Sequence, residues 1–186
     1  MFGAEGGDRM LRAARAHREH VEAIAEASAP GWPLVADLLA NARRRIAEGR
    51  QDDAVARLYR AIEATAQVAL RERHDIADTG AVPLDALPED LRARCATRAE
   101  AGTVKLGLQD AYALLRGRGD PAGERFFTLG LATEQSPLSA RNQSILAHGF
   151  QPVGAKVTDA LWQAALALSE LAEDTLPVFP VLDPSS

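Results

Sequence analysis

The apolar positions recur with helical period in segments separated by Gly- and Pro-bearing breaks. From Asp8 to Ala27, Leu11, Ala14, Val21 and Ile24 recur at roughly helical spacing, until Pro30-Gly31 ends the run. A second segment opens at Pro33, a residue whose missing N–H costs nothing in a first turn. Its stripe is Leu34, Val35, Leu38, Leu39, Ala42 and Ile46, with Gly49 placed as a C-terminal cap. A third segment, capped by Asp52 or Asp53, carries Val55, Leu58, Tyr59, Ile62, Ala66 and Leu70 and is the clearest amphipathic stretch. Asp75 to Leu87 reads as a loop. Pro88–Glu100 and Leu106–Leu115 predict short helices, Arg116–Gly123 a turn, and Glu124–Leu131 another short helix. Ser136-Pro137 opens a helix running to His148, with Gly149 just beyond. Val157–Asp174 predicts a last long helix, with Leu161, Trp162, Ala165, Leu168 and Leu171 facing inward, before an extended Pro-containing tail.

No period-two alternation and no internal repeat interrupts this series. The expected fold is all-α, a bundle of roughly six to eight helices with no sheet of substance. Its expected divisions are an N-terminal helix or arm over 1–31, a helical domain over 32–175 and the tail over 176–186. The abundance of Ala, Leu, Arg and Glu, which lose little side-chain freedom in helices, agrees. A Rossmann-type domain, which needs βαβ units, has no place here.

Lys and Arg number 21 against 26 Asp and Glu, a net charge of −5. That excludes a broadly basic coat for nucleic acid but leaves room for a local patch. Arg43, Arg44, Arg116 and Arg118 are weak candidates for RNA contacts; the plainer reading of Arg43-Arg44-Arg45 is a solvated helix end favoured by the dipole. Cys95 is the one cysteine, so no intrachain disulfide is available and a reducing compartment is expected. No signal peptide is visible, and no apolar run approaches the ~20 residues of a membrane span. A cytoplasmic chain with no membrane contact is the expectation.

The histidines are His17, His20, His74 and His148, and no pair has the i, i+4 spacing of a helical zinc site, so no metal and no cofactor are expected. There is no phosphate-cradling loop and no Gly-x-Ser-x-Gly elbow. Tyr59, Glu63 and Gln67 form a polar stripe that either supports a site or simply faces solvent. Leu138 to Gly149 is richer. Arg141 and His148 stand seven residues apart, close to two helical turns or about 10 Å of rise, with Ser144 on the same face. A histidine in a last turn before a glycine is also what the helix dipole and the cap would favour without any chemistry.

These residues resemble a known family. Arg141-Asn142 followed by His148 is similar to the R-x(4–6)-H signature of HEPN ribonucleases, and Arg-Asn-Gln-Ser-Ile-Leu-Ala-His-Gly resembles the HEPN half of CRISPR-associated, Csm6-like type III effectors. The helix from Asp53 and the stretch from Val104 resemble the same pattern, so the likeness covers about 32–175. It implies an HEPN-like helical bundle that cleaves single-stranded RNA without a metal, in a composite site shared by a homodimer. Arg141, His148 and Asn142 would be catalytic and Ser144 supporting. Full effectors carry a CARF sensor domain that this sequence lacks, which implies such a domain in a longer chain or a separate partner. The competing expectations are a catalytically silent dimerisation or partner-binding module, and the toxin of a toxin–antitoxin pair.

Overall fold

The computed structural model describes residues 4–139 and 153–180. Among them are seven α-helices: α1 (Ala4–Glu26), α2 (Trp32–Ala47), α3 (Gln51–His74), α4 (Glu89–Cys95), α5 (Leu108–Gly117), α6 (Pro121–Thr128) and α7 (Ala155–Ser169). One small ribbon joins β1 (Val82–Pro83) antiparallel to β2 (Thr103–Val104), pairing Val82 with Val104 and Pro83 with Thr103. The fold is all-α, as the periodicity implies.

Helix α3 is the axis. It buries Ala54, Val55, Leu58, Ala61, Ile62, Ala64, Thr65, Ala66, Val68, Ala69 and Leu70, far more of its circumference than the single stripe read from the sequence. Its alanines let α2, α5 and α7 pack close on different sides, because small residues bring helix axes together. Thr65, buried among them, satisfies its hydroxyl by donating to the Ala61 carbonyl at 2.9 Å. Tyr112 of α5 is fully buried; its ring stacks on Phe126 of α6 at 4.1 Å, and its hydroxyl donates to the Ile62 carbonyl at 2.8 Å. Burial, and secondarily the charge of Asp120, push the Tyr112 phenol well above its ordinary range, so it stays a neutral donor.

Several expected boundaries move. The third helix begins after Arg50, so Asp52 and Asp53 occupy its first turn, where they complement the dipole without capping it. The expected helix over Pro88–Glu100 is α4 followed by a single 3-10 turn at Ala96–Arg98. Pro121, Ala122 and Gly123, read as part of a turn, form the first turn of α6: the Asp120 carboxylate accepts from the Ala122 amide at 2.9 Å, and Pro121 supplies the fixed φ of a first residue. Helix α7 stops at Ser169, because Glu170 turns left-handed with φ 59°, which leaves Leu171 beyond the helix and gives Glu173–Thr175 a separate 3-10 turn.

Helix α1 is the least embedded element. It leans on α2, with His20 Nε2 3.7 Å from Asp37, and on the tail, where His17 meets the Phe179 ring edge-on at 5.0 Å. No described helix is long and apolar enough to cross a membrane.

Candidate active site

Arg141, Asn142, Ser144 and His148 lie outside the described residues. The chain that delivers them is anchored at both ends. On the entry side, Ser136 and Leu138 are buried, and the Ser139 amide and hydroxyl both donate to the Ser136 carbonyl, at 3.0 and 2.7 Å, winding a tight turn. On the exit side Val153 is buried in the main core, and Gly154 starts α7. Both anchors belong to the core built on α3.

A groove of about 510 Å³ opens beside the entry anchor. Its walls are Tyr59 of α3, the start of α5 from Gly107 to Asp110, and the segment Leu131–Glu134 with Ser136, Leu138 and Ser139. Gln109 ties the two walls together, donating to the Ala132 carbonyl at 3.1 Å. Its acidic members are Asp110 and Glu134, and Asp110 is clamped from outside the groove by Arg94 at 2.8 Å and Arg98 at 2.7 Å, two cations on one anion. The hydrogen bond and charge of Asp110 raise the already high Arg98 pKa, so that guanidinium stays charged at every physiological pH. Beneath it Cys95 is wholly buried and accepts from Arg98 at 3.1 Å, the inert core thiol of a packed helix.

The arginines proposed for RNA contacts each have an intramolecular partner. Arg43 donates to the Glu173 carbonyl at 3.3 Å, Arg44 lies over the Phe179 ring at 4.9 Å, Arg116 pairs with Glu124 at 2.7 Å, and Arg118 donates to the Ala86 carbonyl at 2.9 Å. They sit on α2 and around the C-terminal end of α5 and share none of these partners. Burial lowers the Arg44 pKa, yet a guanidinium remains charged in any ordinary buffer. Of the polar stripe, Glu63 and Gln67 are both bound by Arg60, at 3.0 Å each, which makes that stripe a bridge along α3.

Sequence reasoning missed a second polar cluster. His74 Nε2 and Arg73 of α3 converge on Asp120 at 3.0 and 3.4 Å, while Arg73 also reaches Glu170 at 3.4 Å and covers the Trp32 ring at 5.2 Å. Arg125 of α6 closes the cluster on Glu170 at 2.6 Å. Asp120 is nearly sealed from solvent. Its burial would raise the carboxyl pKa, but the His74 hydrogen bond, the Ala122 amide and Arg73 outweigh it and hold the group below its usual value. Glu170 is lowered as well, first by the Arg125 hydrogen bond. The cluster therefore pins the ends of α3 and α7 to the start of α6. It holds α7, the helix that leaves the Arg141–His148 segment.

A folded pKa below the unfolded one stabilises the protein above the unfolded value, and that contribution disappears as pH falls through the folded value. Asp120→Asn is expected to lower unfolding free energy by about 1–3 kcal/mol at pH 7, since a capped, paired carboxylate is lost. Urea curves of both proteins should converge as pH falls below the ordinary carboxylate range, where the natural carboxyl becomes protonated.

A family model described as the Csm6 HEPN domain matches residues 24–172. The chain belongs to the Csm6 HEPN family. Membership makes the domain CRISPR-associated and of the ribonuclease type at the level of the family. The match spans α2 to α7 and includes the segment with Arg141 and His148. None of the curated proteins compared with the HEPN chain matches it.

Proposed function

We propose that this HEPN chain is an endoribonuclease that cuts single-stranded RNA without a metal, in a composite site formed by two copies, as part of CRISPR-linked antiviral defence in the cytoplasm. The observation that carries the reading is the string Arg141-Asn142…Ser144…His148 inside a Csm6 HEPN match. The His148 imidazole takes the proton of a ribose 2′-OH, whose oxygen attacks the adjacent phosphorus; the bond to the 5′-oxygen breaks, and that oxygen gains a proton. Arg141, a permanent cation with a planar fork of donors, binds the phosphate and stabilises the charge that builds on it. Asn142 orients the phosphate or the imidazole, and Ser144 adds a hydrogen bond. One Arg–His pair supplies too few groups for both proton transfers. A two-fold dimer doubles them in one cleft and concentrates positive potential on a net-acidic chain. Control falls to a CARF-type sensor in a longer chain or a separate partner.

Incubation with end-labelled single-stranded RNA in excess EDTA tests the reading. The expected products carry 2′,3′-cyclic phosphate and 5′-hydroxyl ends, and DNA of the same sequence stays intact because it has no 2′-OH. Intact RNA at every protein concentration would point to a silent binding module, and efficient DNA cutting would remove the 2′-OH mechanism.

A further inference from the structure

We propose that the groove beside the entry anchor is a specificity pocket that takes one unpaired base of the RNA strand and prefers guanine. The inference rests on the nuclease reading and adds to it the choice of nucleotide. Ser139 forms part of the groove wall and Arg141 follows two residues later, so the chain itself keeps their Cα atoms within about 7 Å. A strand whose phosphate meets Arg141 therefore has the groove within reach of a neighbouring base. At about 510 Å³ the space is that of a small-ligand site. Leu108, Leu131 and Leu138 give it an apolar lining, against which the flat face of a base can lie.

The polar atoms of the groove choose the base. Thr133 donates its one hydroxyl hydrogen to the Gly130 carbonyl at 2.9 Å, and Ser139 donates its own to the Ser136 carbonyl at 2.7 Å. Each hydroxyl is left with lone pairs alone to offer a ligand. Gln109 commits one amide N–H to the Ala132 carbonyl at 3.1 Å. Asp110 is engaged by Arg94 and Arg98, whereas Glu134 is exposed and has no ion pair among the described residues, so Glu134 is the carboxylate open to a ligand. One open carboxylate is too few for a metal ion. It suits N–H groups, and guanine alone among the four RNA bases sets two of them side by side on its Watson–Crick edge, N1–H and the N2 amino group, to match two carboxylate oxygens. Adenine and cytosine place a single amino group beside a ring acceptor, and uracil sets its one N–H between two carbonyls that such a rim disfavours. The start of α5 at Gly107, which no side chain caps, adds backbone N–H groups suited to the guanine O6.

Fluorescence anisotropy of the whole chain with short 2′-O-methyl oligouridines tests it, because such strands bind without supplying the attacking 2′-OH. A strand with a central guanosine is expected to bind about tenfold or more tightly than strands with central adenosine or uridine. Central inosine, which lacks the N2 amino group, should fall between them. Glu134→Gln should bring the guanosine strand to within about twofold of the adenosine strand and leave the uridine strand unchanged. Glu134 is exposed, so the variant should unfold at the same urea concentration as the natural chain. Equal affinity for all the strands, a guanosine preference that survives Glu134→Gln, or no binding of any strand would each overturn the pocket. Cleavage of the unmodified guanosine strand in excess EDTA, on the same preparations, reports on the nuclease reading by itself.

Discussion

Gly123→Ala is expected to destabilise the protein by about 3 kcal/mol or more, a large share of a typical domain's ~5–15 kcal/mol. A Cβ at this position would lie 2.2 Å from the Arg116 amide nitrogen, 2.6 Å from its Cα and 2.7 Å from the Leu115 carbonyl carbon. All three are backbone atoms, so no rotamer change can relieve the clash; α5 and α6 must move apart. Separation also breaks the stack of Tyr112 on Phe126 and draws the Tyr112 hydroxyl from the Ile62 carbonyl, so the loss spreads into the core around α3. Gly107→Ala is the control. Nothing lies within 4 Å of its added methyl, and the exchange of one helix cap for a poorer one should cost less than about 1 kcal/mol. Urea denaturation of the two variants side by side measures the difference, and near-equal curves would mean that α5 and α6 do not approach through Gly123.

The same glycine explains what could and could not be read from the chain. Long periodic segments such as Leu34–Ile46 and Val55–Leu70 announce their helices, because burial against neighbours repeats the signal every turn. Arg116–Gly123 instead offers three glycines, a proline and an aspartate, which are turn residues by local statistics. Only tertiary contact reveals that Asp120 is a cap, Pro121 a first residue and Gly123 a spacer between helices. The β1–β2 ribbon was invisible for a simpler reason: two-residue strands have no period. Glu170 ends α7 in a left-handed conformation that glycine usually takes, so Val157–Asp174 read five residues too far.

The candidate chemistry divides in the same way. The Arg141–His148 string is legible because its residue types stand within eight consecutive positions of the chain. The cluster on Asp120 is not, since His74 stands 46 residues away and Arg73 reaches Glu170 across 97. Histidine and aspartate scattered at such distances carry no spacing signal. Nor could the sequence tell that Arg43, Arg44, Arg116 and Arg118 are each engaged within the chain.

His148→Ala is expected to lower the rate of RNA cleavage by roughly 10²–10⁴, the usual contribution of a positioned general acid–base. The imidazole is the one group of the string that exchanges a proton near neutrality, with an unperturbed pKa of about 6.5. Arg141 cannot, so its replacement acts on phosphate binding and charge. Arg141→Lys keeps the cation but loses the two-pronged donor geometry, and should lower kcat while the protein stays folded. Loss of function alone does not prove chemistry, so stability must be measured on the same preparations. The proposal expects His148→Ala and the natural protein to unfold at the same urea concentration. Asp120→Asn should do the opposite, unfolding earlier while the folded fraction cleaves at the natural rate, because Asp120 pins α6 to α3 and touches no substrate. In mixed dimers of natural and His148→Ala chains, a composite site predicts that a shared cleft loses activity although one copy is intact. Full cleavage by His148→Ala would end the assignment of the base, and half-activity in the mixed dimers would leave two independent sites in place of one shared cleft.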